Sequence, residues 1–412
     1  MNNQTPIRPV RRRCVFYIPG YDPFHPRRYR ELYRKEAAAQ AALLGYEIAL
    51  RPRGGQGAYG WDVSAVTDGA ETETEIEVLV WHDIVKNSMS TSITATYVQL
   101  VSTAWRYIAS GALACLMRLR KGPVIAALYP VVFLLGQLLI ALGLGWGVGR
   151  AAGAVLSAAG LSTAAPFAMG LLPVVAYGVL RWFQAHDRRV FAYYLMHDYA
   201  HSAQLSGAYP PELEARLAEF KTRIAAALRE DVDEVLVVGH SSGAYLGVTV
   251  LADLIRDGVP AGGPALSYLS LGQVVPMVSF LPRADRLRGD LQFLSESDAL
   301  TWVDVTAPGD GCSFALCDPV AVTGVARAGQ KWPIVISAAF TQTLSPERWA
   351  ELRWRFFRLH FQYLCSFDRP GDYDYFQITG GPLTLGDRFK DRAHSRSRKV
   401  DALSKYTSVR VQ

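Results

Sequence analysis

The stretch Glu234 to Ile255 reads EVLVVGHSSGAYLGVTVLADLI, and Gly239-His240-Ser241-Ser242-Gly243 within it has the form G-x-S-x-G. The residues before the motif predict an apolar strand over Glu234–Val238, and those after it predict a small-residue helix over Gly243–Ile255. A serine hydroxyl becomes a useful nucleophile only when a neighbouring base takes its proton. On a sharp strand-to-helix turn the hydroxyl is held clear of the chain in a strained backbone conformation. Glycine on either side leaves room for the adjoining strand and helix. The start of the helix also offers backbone N–H groups and the positive end of a dipole to a developing oxyanion. The chemistry this pattern predicts is acyl transfer through Ser241.

Other clusters point elsewhere, and less far. His197 and His201 stand four apart in HDYAH, one helix face, which is the spacing of a metal-binding pair. The intervening residue is Asp198 where metalloprotease chemistry uses Glu, and no third ligand is close in sequence. Cys312 and Cys317 are spaced C-x4-C without a second Cys or His pair, unlike a structural zinc site. Arg51 to Gly60 (RPRGGQGAYG) is Gly-rich but lacks the G-K-[ST] ending of a phosphate loop, and reads as a mobile loop. Asp368 to Tyr375 (DRPGDYDY) lacks the regular oxygen spacing of a calcium loop. No metal and no cofactor are expected.

The elements that must position Ser241 alternate strand and helix. Cys14–Ile18 predicts a strand, Arg27–Leu44 a helix ended by Gly45, and Tyr46–Leu50 and Glu75–Trp81 further strands. Beyond the middle of the chain, Pro211–Leu228 is an amphipathic helix with Leu213, Leu217, Phe220, Ile224 and Leu228 on one face. Strands follow at Leu266–Leu271, Leu300–Val305 and Pro333–Ser337, and Ser345-Pro346-Glu347 marks a helix start. Short apolar strands separated by helices predict an α/β fold, a largely parallel sheet covered on both faces.

With the elbow in this setting, the chain resembles the α/β-hydrolase superfamily over roughly 14–83 and 190–380. The resemblance implies a serine hydrolase of esterase or lipase type. It places an oxyanion loop at Ile18-Pro19-Gly20-Tyr21, with Pro19 where the superfamily usually has His, and assigns the backbone N–H groups of Tyr21 and Ser242 as oxyanion donors. The superfamily's order of nucleophile, acid, histidine puts the acid after the strand LTWVDV. Asp310 in TAPGDG is the first choice, with Asp304 and Asp318 as alternatives. The base is then His360, embedded in FFRLHFQYLCS; His394 lies in a basic polar tail. In those roles Ser241 attacks, His360 takes and returns its proton, and Asp310 orients the imidazole.

Composition adds a membrane. Of 412 residues, 50% are hydrophobic and only 19% charged, mean hydropathy is +0.09 and the net charge is +6. This excludes a disordered or coiled-coil chain and gives no nucleic-acid-binding surplus. Gly122–Gly149 and Ala151–Leu180 contain no charged residue and are separated by Arg150 alone. The expected hairpin has spans near 123–147 and 165–182 with a link from Arg150 to Thr163. Arg118, Arg120 and Lys121 before it, and Arg181, Arg188 and Arg189 after it, place both ends in the cytoplasm. Five scattered cysteines and the lack of an apolar run in Met1–Arg13 agree with a reducing compartment.

The expected division is 1–98 and 191–386 for the hydrolase-like domain, 99–190 for the inserted hairpin and 387–412 for a flexible basic tail. The expected substrate is an ester, a lipid ester included, met at the inner or plasma membrane. Gly145, Gly149 and Gly153 offer a small-xxx-small seam to a second copy. The competing reading is a non-catalytic membrane scaffold that keeps the fold to bind a partner.

Overall fold

The computed structural model describes residues 8–53, 58–89, 92–187 and 190–410. The chain forms two compact units: one from 1–86, 110–123 and 205–412, the other from 87–109 and 124–204.

The first unit is built on eight strands: β1 (Arg12–Ile18), β2 (Glu47–Pro52), β3 (Gly60–Thr67), β4 (Ala70–Val78), β5 (Glu234–His240), β6 (Ala265–Leu271), β7 (Thr301–Thr306) and β8 (Ile334–Ser337). Their order across the sheet is β2-β3-β4-β1-β5-β6-β7-β8. From β4 to β8 every pairing is parallel, and β3 alone runs against its neighbours β2 and β4. All seven residues of β5 are buried, as a central strand covered on both faces requires. Alternate residues of four adjacent strands, Val15 and Tyr17, Leu236 and Val238, Leu269 and Leu271, Val303 and Val305, share one core with Tyr29 and Tyr33 of the Arg27–Leu44 helix. The helix ends at Gly45, whose φ of 77° suits a residue without a Cβ.

β3 is not among the strands expected from the sequence. GWDVSAVT alternates buried and half-buried residues, a weaker signal than the continuous apolar runs of the central strands. The expected loop Arg51–Gly60 is correspondingly shorter: Arg51 and Pro52 close β2, Gly60 opens β3, and 54–57 lie outside the described residues. Asp368 and Asp374 of the acidic stretch serve the chain itself. Asp368 accepts from the Ser345 N–H, and Asp374 caps the Tyr375–Gly380 helix.

The expected flexible tail is instead fastened down through residue 410. Ser395 N–H donates to the Val335 carbonyl at 2.9 Å, His394 Nδ1 accepts from the Val335 N–H at 3.1 Å, and Ser395 Oγ accepts from the Ser337 N–H at 3.0 Å. The segment thus covers the open edge of β8, which would otherwise present unpaired backbone groups. Arg288, fully buried, holds the far end through the Ser408 carbonyl.

The second unit is helical. Lys121–Ala158 is one continuous 38-residue helix, so Arg150 lies within a helix and not in a link; Ala-rich sequence sustains the helix past it. A 3-10 turn, Ala165–Gly170, leads into the Leu171–Ala185 helix. Lys121–Ala158 and, with the 3-10 turn included, the 21-residue Ala165–Ala185 segment are long and apolar enough to cross a membrane. Their outer side chains are apolar, with Leu139 71% and Phe167 83% exposed, as lipid contact demands. A Cβ at Gly145 would lie 2.6 Å from the Leu172 carbonyl oxygen, and one at Gly153 would lie 3.1 Å from that of Ala165. The glycine seam is therefore filled by the chain's own returning segment. Arg188 and Arg189 lie outside the described residues.

Candidate active site

Ser241 joins β5 to the Ser242–Asp257 helix with φ 58° and ψ −120°, a conformation costing a non-glycine residue about 1–3 kcal/mol. Its surroundings explain the glycines. A Cβ at Gly243 would stand 2.0 Å from the Ile18 carbonyl oxygen, and one at Gly239 would stand 2.5 Å from that of Gly243. Gly20 is as tightly placed, since a Cβ there would be 3.0 Å from Ser241 Cβ and 3.4 Å from its Oγ. The Pro19-Gly20-Tyr21 loop therefore passes directly over the serine. Trp81 Nε1 donates to the Pro19 carbonyl at 3.0 Å and the Tyr21 ring packs edge-on against Trp81, which hold the loop in place. Ser242 opens the helix, where the first N–H groups have no intrahelical acceptor.

His360 ends a short helix, Phe356–His360, and is buried. Its Nδ1 lies 2.7 Å from Asp310 Oδ2. With the carboxylate accepting from Nδ1–H, the lone pair is left on Nε2, the form needed to receive a proton. The surroundings of this imidazole and of Ser241 meet at Leu271–Gly272. The Ser241 N–H donates to the Leu271 carbonyl at 2.9 Å, and a Cβ at Gly272 would meet His360 Cε1 at 3.0 Å. The φ of +53° at Gly272 also favours glycine.

Asp310 ends a turn, Ala307-Pro308-Gly309-Asp310, closed by its own N–H on the Ala307 carbonyl. Burial pushes its carboxyl up, but the His360 ring, the Cys312 N–H and Ser313 outweigh this and leave it below the usual carboxylate range. Tyr363 Oη donates to Asp310 Oδ2 at 3.0 Å and accepts from the Ala307 N–H at 2.9 Å.

The other candidates are occupied elsewhere. Asp318 caps the Pro319–Thr323 helix and pairs with Arg398 at 2.6 Å. His394 sits at the β8 edge. His197 donates from Nδ1 to Gln99 Oε1, 2.8 Å away, in the helical unit; among the described residues it and His201 gather no third metal ligand. Asp304 takes the Ser270 hydroxyl at 2.6 Å, while its Oδ2 has no partner among the described residues.

Burial, with Asp318 nearby, pushes the Asp304 carboxyl up to about 8 against the opposing Ser270 bond. The folded state thus holds a proton that the unfolded chain releases near pH 4, and stability falls as pH rises from there through about 8. The full difference is of order 5 kcal/mol. Thermal unfolding at pH 5 and pH 8 should show native protein losing stability with pH while Asp304→Asn is nearly flat. Equal slopes in the two proteins would refute this account.

Three features escape a reading of the sequence alone. His240, the x of the motif, donates from Nε2 to the His360 carbonyl at 3.0 Å, with the two rings 4.9 Å apart. Burial and the neighbouring His360 lower its pKa to about 3, so it is a neutral prop at physiological pH. Tyr363 and Gly272 are the other two. Only His240 carries a local signal, its place inside the motif.

The set places a strained serine, a tethered imidazole and a buried carboxylate around one loop, with helix N–H groups beside them. Such a set can transfer an acyl group through a serine ester. Comparison with protein families, with curated proteins and with solved structures found no match to this chain.

Proposed function

We propose that the protein is a membrane-anchored serine hydrolase of α/β-hydrolase type that cleaves a carboxylic ester, with Ser241 as nucleophile, His360 as base and Asp310 as the orienting acid. The observation that carries this reading is the convergence of strained Ser241 and Asp310-tethered His360 on Leu271–Gly272. A buried Asp–His pair and a strained non-glycine turn each cost stability, and a chemical role accounts for their being together. The N–H groups of Tyr21 and Ser242 are assigned to the oxyanion. The two apolar helices support an anchor, and Arg118, Arg120, Lys121 and Arg181 at their outer ends support a cytoplasmic site. A chain anchored in a bilayer suits a lipid or other acyl ester as substrate.

The test is covalent labelling of the full chain in its membrane fraction by a fluorophosphonate, which reacts only with an activated serine. Saturable labelling of the native chain is expected. A folded native chain that takes no label would favour the scaffold reading, in which the same fold captures a partner without chemistry.

A further inference from the structure

Asp310 and His360 are joined by a third donor that acyl transfer leaves unused. The turn bearing Asp310 runs on into Cys312, whose N–H donates to Asp310 Oδ1 at 2.9 Å. Ligand atoms of Asp310, Cys312 and His360 all lie within 4.8 Å of one another. Asp310 and His360 are buried and Cys312 is half-buried, so the group has a way in from solvent. Cys14 and Cys317, by contrast, are buried thiols whose pKa is pushed up to about 12 by desolvation, and neither belongs to such a group among the described residues.

One oxygen, one sulfur and one nitrogen donor form a ligand set suited to a borderline-soft divalent ion. Bond lengths of about 2.0–2.3 Å to zinc place two donors of one ion about 3–4 Å apart, so closing this triangle takes about 1 Å of side-chain movement. Three protein ligands leave a fourth position for water.

We propose that Asp310, Cys312 and His360 form a binding site for a thiophilic divalent cation of the Zn2+ kind, and that the ion switches the serine off. As the metal–sulfur bond forms, the Cys312 thiol gives its proton to solvent. The ion takes the Nδ1 lone pair of neutral His360, and the single imidazole proton moves to Nε2. The Asp310 carboxylate exchanges its N–H donor for the ion. A ring with its proton on Nε2 cannot accept the proton of Ser241, and an ion held through Nε2 instead would occupy the same lone pair. Net release is one proton, which comes from the Cys312 thiol. The inhibition rests on the acyl-transfer reading; the ion binding does not.

Two measurements on the full chain in detergent micelles separate these parts. In the first, Co2+ is titrated into the native protein, Ser241→Ala and Cys312→Ser. A near-UV thiolate-to-cobalt band saturating at one ion per chain is expected in the first two and absent in the third. In the second, Zn2+ is added before fluorophosphonate, with each protein referred to its own labelling under chelator. Zn2+ should suppress labelling of the native chain reversibly, and the half-suppressing concentration should rise at least about tenfold in Cys312→Ser. No thiolate band in the native protein, or an undiminished band or equal Zn2+ sensitivity in Cys312→Ser, would overturn the proposal. A native chain that takes no label even under chelator would sink the hydrolase reading, while the cobalt titration would still decide the ion site.

Discussion

Ser241→Ala is expected to abolish fluorophosphonate labelling and to lower ester turnover by about 10^4- to 10^6-fold, the usual cost of losing a nucleophile that acts as part of a unit. Alanine keeps the Cβ and so the strain at φ 58°, ψ −120°, and the folded domain should melt as the native one does. Ser241→Gly should be as inactive yet more stable by about 1–2 kcal/mol, because glycine adopts this backbone without penalty. The pair separates chemistry from folding. An alanine variant that still labels would move the nucleophile elsewhere and remove the elbow from the mechanism.

The second large effect is expected at Asp310→Asn, with labelling and turnover down by about 10^4-fold. Asparagine keeps an acceptor for the Cys312 N–H, but its amide can no longer hold His360 with the proton on Nδ1. The imidazole then turns or takes the wrong tautomer, and Ser241 loses its base. Asp304→Asn and Asp318→Asn serve as controls. Neither carboxylate touches His360, since Asp304 binds Ser270 and Asp318 caps a helix and binds Arg398. Both variants should label within a few-fold of the native chain. If Asp304→Asn were the silent one, the assignment of the acid would be wrong.

The reason the sequence leaves three acids open is geometric. Asp304, Asp310 and Asp318 fall within one stretch, each beside a strand end or turn. Choosing among them requires knowing on which side of the sheet His360 packs. Val303 and Val305 of β7 point into the core that contains Tyr363, so Asp304 between them points to the opposite face. No property of residues 301–318 alone reveals this. The same holds for Tyr363, which reaches Asp310 across 53 positions, and for Gly272, whose crowding comes from Tyr363 and His360 far along the chain.

The tail and the hairpin make the same point. Lys- and Arg-rich sequence after Asp387 reads as solvated because composition reports no partner. In the fold it finds one, the unpaired edge of β8, and backbone hydrogen bonding outweighs the entropy of a free end. Gly145, Gly149 and Gly153 announce close helix packing but not against what. The nearest surface is the chain's own return segment.

By itself the sequence determined what rests on contiguous residues. It determined the elbow, because strand, turn and helix adjoin; the central strands, because β5 and its neighbours are apolar throughout; and two helices apolar enough for a bilayer. Those properties follow from local sterics and solvent transfer. The tertiary structure decided which carboxylate meets His360, the contacts of His240 and Tyr363 beside it, the antiparallel β3, the fastening of the tail and the meeting of Cys312 with Asp310 and His360. Each of these is a contact between segments far apart in the chain, and only the register and facing of the strands bring such segments together.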